Sequence, residues 1–318
     1  MQVTTEHIQQ YDAANDATSV YQLWQSTLGH QWPLDEERMK KVLAGPEAGH
    51  FVARVNERIV GFVATFQSFR KKEKIGHLAL ILVDPAMQKQ GLGSALHQRA
   101  LAHLHATGLH TIQLGAIEPR FWCGVPTNMP VAVDFFRRQG WEYEENVYDM
   151  IRDIREYSTP KKVTLRQQEE RVTIATATSN NITEVLSFEA RNFPEWQGHV
   201  EVVADRSDYR DILVARNADD QIVGVIGLYS QQSHPDRTDI VWQGLLGPKT
   251  GGLNIVGVTE ELRGRGLGIA LVARGTEILR ERGVEQCYID WVRPDVVDFY
   301  AKLDYKEWRE YKTSWRKI

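Results

Sequence analysis

Two short glycine-rich segments hold the residues best suited to chemistry in this sequence. One reads Gln88-Lys89-Gln90-Gly91-Leu92-Gly93-Ser94, the other Arg263-Gly264-Arg265-Gly266-Leu267-Gly268-Ile269. Each follows an extended apolar stretch, ending at Val83 or Val258, and each opens a helical pattern. Glycine lacks a Cβ, so the backbone can turn sharply and approach a ligand closely. The first turn of the following helix has N–H groups without intrahelical partners, at the positive end of the helix dipole. Such a turn seats a phosphate or diphosphate. Gln88 and Arg263, three positions before the central glycine, are expected to add a donor.

The elements around the two turns repeat. An apolar strand at 76–83 is answered by one at 253–258, and a helical pattern from Ala95 to His105 by one from Ala270 to Arg282. Gly108 and Gly283 stand where a helix C-cap calls for glycine. Short strands follow at 110–117 and 284–292, then Val133-Asp134-Phe135-Phe136 and Val297-Asp298-Phe299-Tyr300 in a last helix. A repeat of roughly 150 residues is domain-sized, far beyond solenoid periods of about 20–50. The expected organisation is a domain at 1–155, a linker at 156–170 and a domain at 171–318. The linker contains Pro160 and shows no apolar period.

Composition narrows the function classes. The chain has 318 residues, 42% hydrophobic and 25% charged, with a formal net charge of −4. That balance speaks against a nucleic-acid surface, and the basic cluster at 70–74 reads as a solvated turn. Two cysteines, Cys123 and Cys287, make no disulfide framework. No apolar leader is visible, and the longest aliphatic run, 78–83, is far short of the ~20 residues of a membrane span. The expectation is a soluble, cytoplasmic protein. A Rossmann site would want GxGxxG at full spacing with an acidic residue about 20 positions on, and a P-loop GxxxxGK[ST]; neither is here. His97, His103, His105 and His110 share no ligand face with acidic partners, so no metal is expected.

Gln88-x-x-Gly91-Leu92-Gly93, Arg263-x-x-Gly266-Leu267-Gly268 and the endings Phe135-Phe136-x-x-x-Gly140-Trp141 and Phe299-Tyr300-x-x-x-Asp304-Tyr305 resemble the GNAT superfamily of acetyl-CoA-dependent N-acyltransferases. The resemblance covers most of both halves. It implies an α/β fold of two tandem domains, each a splayed mixed sheet flanked by helices, with acetyl-CoA as cosubstrate in the wedge. The diphosphate would lie on the turns, 88–94 and 263–269, and the pantetheine would pair near Val83 and Val258. An amine would attack the thioester directly. Tyr300 occupies the family's general-acid position; Phe136, its counterpart, cannot serve. Glu118 and Asp290, at the ends of the next strands, are candidate bases. Asp304 stands where the family usually has glycine.

The stretch 119–130, with Phe121 and Trp122, is stiffened by proline, lacks a counterpart in the second half, and is expected as a substrate loop beside the first cleft. Trp196, in the segment 191–198, is its equivalent for the second. The resulting expectation is acetyl transfer to a primary amine of a small molecule, with a homodimer left open. The competing reading is an acyl-CoA-binding sensor or scaffold in which one or both halves do no chemistry.

Overall fold

The computed structural model describes residues 8–45, 47–70, 73–115, 120–237 and 239–317. Among them the elements run β1 (Ile8–Gln10), α1 (Ala13–Thr27), α2 (Glu36–Leu43), β2 (Phe51–Val55), β3 (Arg58–Arg70), β4 (Glu73–Val83), α3 (Leu92–Ala106), β5 (Thr111–Leu114), β6 (Val125–Pro126), α4 (Pro130–Arg138) and β7 (Asn146–Asp153). They continue α5 (Lys161–Glu169), β8 (Thr173–Thr176), α6 (Ile182–Asn192), α7 (Gln197–Asp205), β9 (Ile212–Arg216), β10 (Ile222–Tyr229), α8 (Gln243–Leu246), β11 (Thr250–Val258), α9 (Leu267–Glu281), β12 (Gln286–Val292), α10 (Pro294–Ala301), β13 (Lys306–Lys312) and β14 (Trp315–Lys317). No helix among the described residues is long and apolar enough to cross a membrane.

The chain forms two compact units: one from residues 1–147, 241–245 and 309–318, the other from 148–240 and 246–308. These do not coincide with 1–155 and 171–318. Residues 148–153 lie in the second unit, where β7 pairs with β12 from Tyr148↔Val292 to Asp153↔Gln286. The expected linker also contains a helix, α5, which follows Pro160. Its one buried residue is Val163, while Leu165 is exposed. A helix held by a single apolar residue leaves no period to read.

In the first unit the strand order is β1-β2-β3-β4-β5-β14. The β4–β5 pair is parallel and the others are antiparallel. β4 is buried along most of its length, as befits a central strand covered on both faces. In the second unit β7-β12-β11-β10-β9-β8 repeats the plan, again with one parallel pair, β11–β12. Each sheet packs its own core: Leu92, Leu96 and Leu104 of α3 against Leu78 and Ile112, and Leu267 and Leu271 of α9 against Ile226 and Leu253. Two α/β units, each a mixed sheet flanked by helices, is the architecture the sequence implied.

Candidate active site

Both glycine turns fold the same way. Gly91 and Gly266 are the N-caps of α3 and α9 at φ of 88° and 91°, a region that favours glycine. Two positions earlier, Lys89 and Gly264 also lie at positive φ, 60° and 76°. The second glycines have another task. A Cβ on Gly93 would sit 3.3 Å from Phe135, and one on Gly268 3.2 Å from Phe299, so these two let the last helix of each unit pack closely. The first intrahelical bonds of α3 and α9 are donated by Ala95 and Ala270. The six amides from Lys89 to Ser94, and the six from Gly264 to Ile269, have no acceptor among the described residues. Twelve orphan donors on two positive helix ends suit an anion.

The flanking side chains also reach back to the strands. Gln88 Nε2 donates to Val83 O at 3.1 Å, and Arg263 Nε to Val258 O at 3.3 Å. Both side chains brace the turn against its strand, and each keeps further N–H donors beyond that bond. The space at the two turns also differs. A Cβ on Gly91 would meet nothing within 4 Å, whereas at Gly266 the stem of Arg166 lies 3.2 Å away. Arg166, on α5, donates to Arg265 O at 3.0 Å, and Arg265 pairs with Glu170 at 2.5 Å.

Beyond each turn the sheet parts. β4 pairs with β5 only at Gly76↔Ile112, His77↔Gln113 and Leu78↔Leu114, yet pairs with β3 as far as Val83↔Gly61. β11 pairs with β12 only from Thr250 to Gly252, yet with β10 as far as Val258↔Gly224. The edges at 79–83 and 253–258 thus present backbone polar groups to a wedge, where an extended amide chain can pair. Register shifts mark both strands, and in β11 Ile255 takes φ 44°, strained for a β-branched residue.

Tyr300 sits in α10, nearly buried. Burial, then the negative charge of Asp290, raise its phenol above the ordinary value, so it keeps its proton at neutral pH. Phe136 takes the matching place in α4. Asp304 adopts φ 56° where Gly140 has 81°, so the turn survives the loss of glycine.

The expected first-cleft loop is corrected. Phe121 and Trp122 are buried, and Trp122 stacks on Trp24 and Trp242 with ring centroids 5.6 and 5.5 Å apart. Centroids that close leave no slot for a substrate ring. The apolar area of five large rings, with Trp32 and Phe121 completing the cluster, drives them inward. Glu118 lies outside the described residues. Trp196 is half-buried and stacks on Phe193 at 4.9 Å, and Phe193 in turn lies over Gly257 of β11.

A polar cluster that sequence reasoning missed flanks β11. Glu189 is buried on the same face of α6 as Val185 and Phe188. His199 Nε2 is 2.9 Å from Asn254 Nδ2, and Asn254 Nδ2 donates to Asp239 Oδ1 at 3.2 Å. The signals were there: a glutamate on an apolar helix face, and an asparagine amid the apolar run of β11.

A family model described as Acetyltransferase (GNAT) family matches residues 17–141 and again 155–305. The chain belongs to this family. Among GNAT relatives, a fungal solved chain, described as a glucosamine N-acetyltransferase region of a multi-domain β-N-acetylglucosaminidase, is 34% identical with a TM-score of 0.93, covering 97% of this chain and 38% of that one. An uncharacterized N-acetyltransferase of Methanocaldococcus jannaschii is 30% identical over 119 residues, 36% of this chain and 49% of that protein. A mycothiol acetyltransferase of Saccharomonospora viridis is 26% identical over 242 residues, 72% of this chain and 71% of its own. The chain thus spans about half of the archaeal relative and less of the fungal one. The two matches lie in tandem along the chain.

Proposed function

We propose that this GNAT protein moves the acetyl group of acetyl-CoA to the primary amine of a small molecule, an amino sugar of the glucosamine type. The observation that carries the reading is the pair of turns, each with six acceptor-less amides beside an open strand edge. The diphosphate would rest on 89–94 and 264–269, and the pantetheine along Val83 or Val258. The likeness to the fungal glucosamine N-acetyltransferase region supports the acceptor class. The net charge of −4 supports a small molecule over nucleic acid. Both cysteines are free and buried, which supports a reducing, cytoplasmic setting.

In this reading the amine nitrogen attacks the thioester carbon. The N–C bond forms, the C–S bond breaks, and the departing thiolate takes a proton from Tyr300, which regains one from the acylated nitrogen. The chain's own work is positioning and proton handling. The first unit has Phe136 where the second has Tyr300, and this favours a second reading for that unit alone, acetyl-CoA binding without turnover.

The test mixes the purified protein with acetyl-CoA and glucosamine, spermidine or amino acids, and follows free CoA. Glucosamine is expected to release CoA and to gain an acetyl group by mass. Binding of acetyl-CoA without release under any amine would replace the enzyme reading with the sensor.

A further inference from the structure

Glu189 makes no sense as a core residue. It is 0% exposed, and both carboxyl oxygens lack a hydrogen-bond partner. Its helix face packs in the cluster that includes Val185, Phe188, Val225 and Ile255. An uncompensated buried carboxyl is expensive, and burial pushes this one up to about 8. Next to Ile255 stands Asn254, whose Oδ1 is likewise buried without a partner. Asp239 only accepts, so it fixes the Asn254 amide with its NH2 toward Asp239 and His199 and its oxygen turned away. Gly227, across the ladder, makes room: a Cβ there would overlap Asn254 Oδ1 at 1.9 Å. The far wall is rigid, because Arg237 ties Asp239 to Asp211 and to Leu228 O.

Three buried oxygens thus have no hydrogen-bond partner, and with Glu189 ionised all three only accept. Their complement is a group that only donates, and a primary ammonium offers three N–H bonds and a compensating charge. Asn254 also lies on the β11 edge that opens toward the wedge. We infer that Glu189 and Asn254 Oδ1 seat the ammonium group of the acceptor in the second unit, and that Glu189 takes the proton the amine must lose before it attacks. This rests on the acetyl-transfer reading. The ammonium pairs with the Glu189 carboxylate and passes it one proton. The freed lone pair forms the N–C bond, the C–S bond breaks, and the thiolate leaves as the thiol with the second proton released from nitrogen. Glu189 then returns its proton to solvent. His199, with Asp239 3.7 Å from its Nε2, is a positioning residue. The titratable group whose charge reaches Glu189 is His199; Asp239, Arg237, Asp211 and Asp208 stand behind it.

Glu189→Gln in the full chain tests the seat. It keeps the shape and cannot hold the charge. Calorimetric binding of glucosamine, spermidine and amino acids is measured beside CoA release from pH 6 to 9. The expected result is unchanged acetyl-CoA affinity, loss of amine binding, and kcat/KM for the amine lower by on the order of 100-fold. The rise of rate with pH that Glu189 imposes on the natural protein should vanish. Asn254→Ser reads the same seat independently and should raise the amine KM with little change in kcat. Natural-like amine binding and pH profile in Glu189→Gln would overturn the seat, as would an unchanged KM in Asn254→Ser. If the natural protein binds an amine through Glu189 yet releases no CoA, the seat stands and acetyl transfer falls.

Discussion

At the level of single residues, Tyr300 and Phe136 divide the two units. The phenol is held protonated by burial and by Asp290, so it can give a proton to a thiolate and cannot itself act as a base at neutral pH. Tyr300→Phe keeps the ring and its packing against Phe299, 4.9 Å away, and Tyr305, 6.2 Å away. The expected outcome is a turnover lower by roughly 100-fold with acetyl-CoA affinity and thermal stability little changed. Steady-state kinetics beside a binding titration check it, and full turnover would remove Tyr300 from the mechanism. This contrast between the halves was legible in the sequence because it depends on one aligned residue type. The bonds from Gln88 to Val83 O and from Arg263 to Val258 O were not, because a side chain's reach back to its own strand leaves no trace in residue type. Nor was Phe121 legible as core, since its ring partners Trp24 and Trp122 meet it only in the folded unit.

At the level of the strand–turn–helix element, the glycines were readable and their division of labour was not. Gly91 and Gly266 answer to backbone φ, Gly93 and Gly268 to helix packing. The two copies supply an internal control. Lys89 shows that the position two before the cap tolerates a side chain at φ 60°, where the second turn uses Gly264. Gly264→Lys should therefore keep acetyl-CoA binding, with a stability change of about 1 kcal/mol or less. Gly266→Glu should abolish binding at the second turn. It forces a side chain into φ 91°, displaces Arg166, and brings a negative charge to the anion seat. Calorimetry on both variants, with thermal melts to confirm folding, separates these cases. Equal affinity in Gly266→Glu would count against the turn as the diphosphate seat. The helices after each turn, α3 and α9, were visible from their apolar period and their glycine ends at Gly108 and Gly283. The helix α5 was hidden because Val163 alone anchors it.

At the level of the whole molecule, the repeat was legible but the path of the chain through it was not. Local apolar patterns locate strands; they do not say which sheet a terminal strand joins, since β14 carries no signal for its partner. In the first unit β14 covers the edge of β5 through Trp315↔Gln113, Arg316↔Ile112 and Lys317↔Thr111. Ser314 O accepts from Leu114 N, and Thr313 exchanges backbone bonds with Glu144 and Glu145. Trp242 completes the stack of Trp24 and Trp122. A fragment cut at the sequence-level boundary, residues 1–155, lacks all of these. It would expose the apolar, half-paired edge of β5 and leave the tryptophan stack short of one ring, a loss of the 3–5 kcal/mol class for a buried tryptophan alone. The expected result is a fragment that aggregates or melts well below the full chain. Deleting residues 309–318 from the full chain should likewise weaken the first unit. Hydrogen exchange would show it as faster exchange in β4 and β5, with β10 and β11 less affected. A cooperative 1–155 fragment with the full chain's transition would show that β14 and Trp242 add nothing to that unit. The domain would then be contiguous after all, and the exchange of segments between the repeats would be without energetic weight.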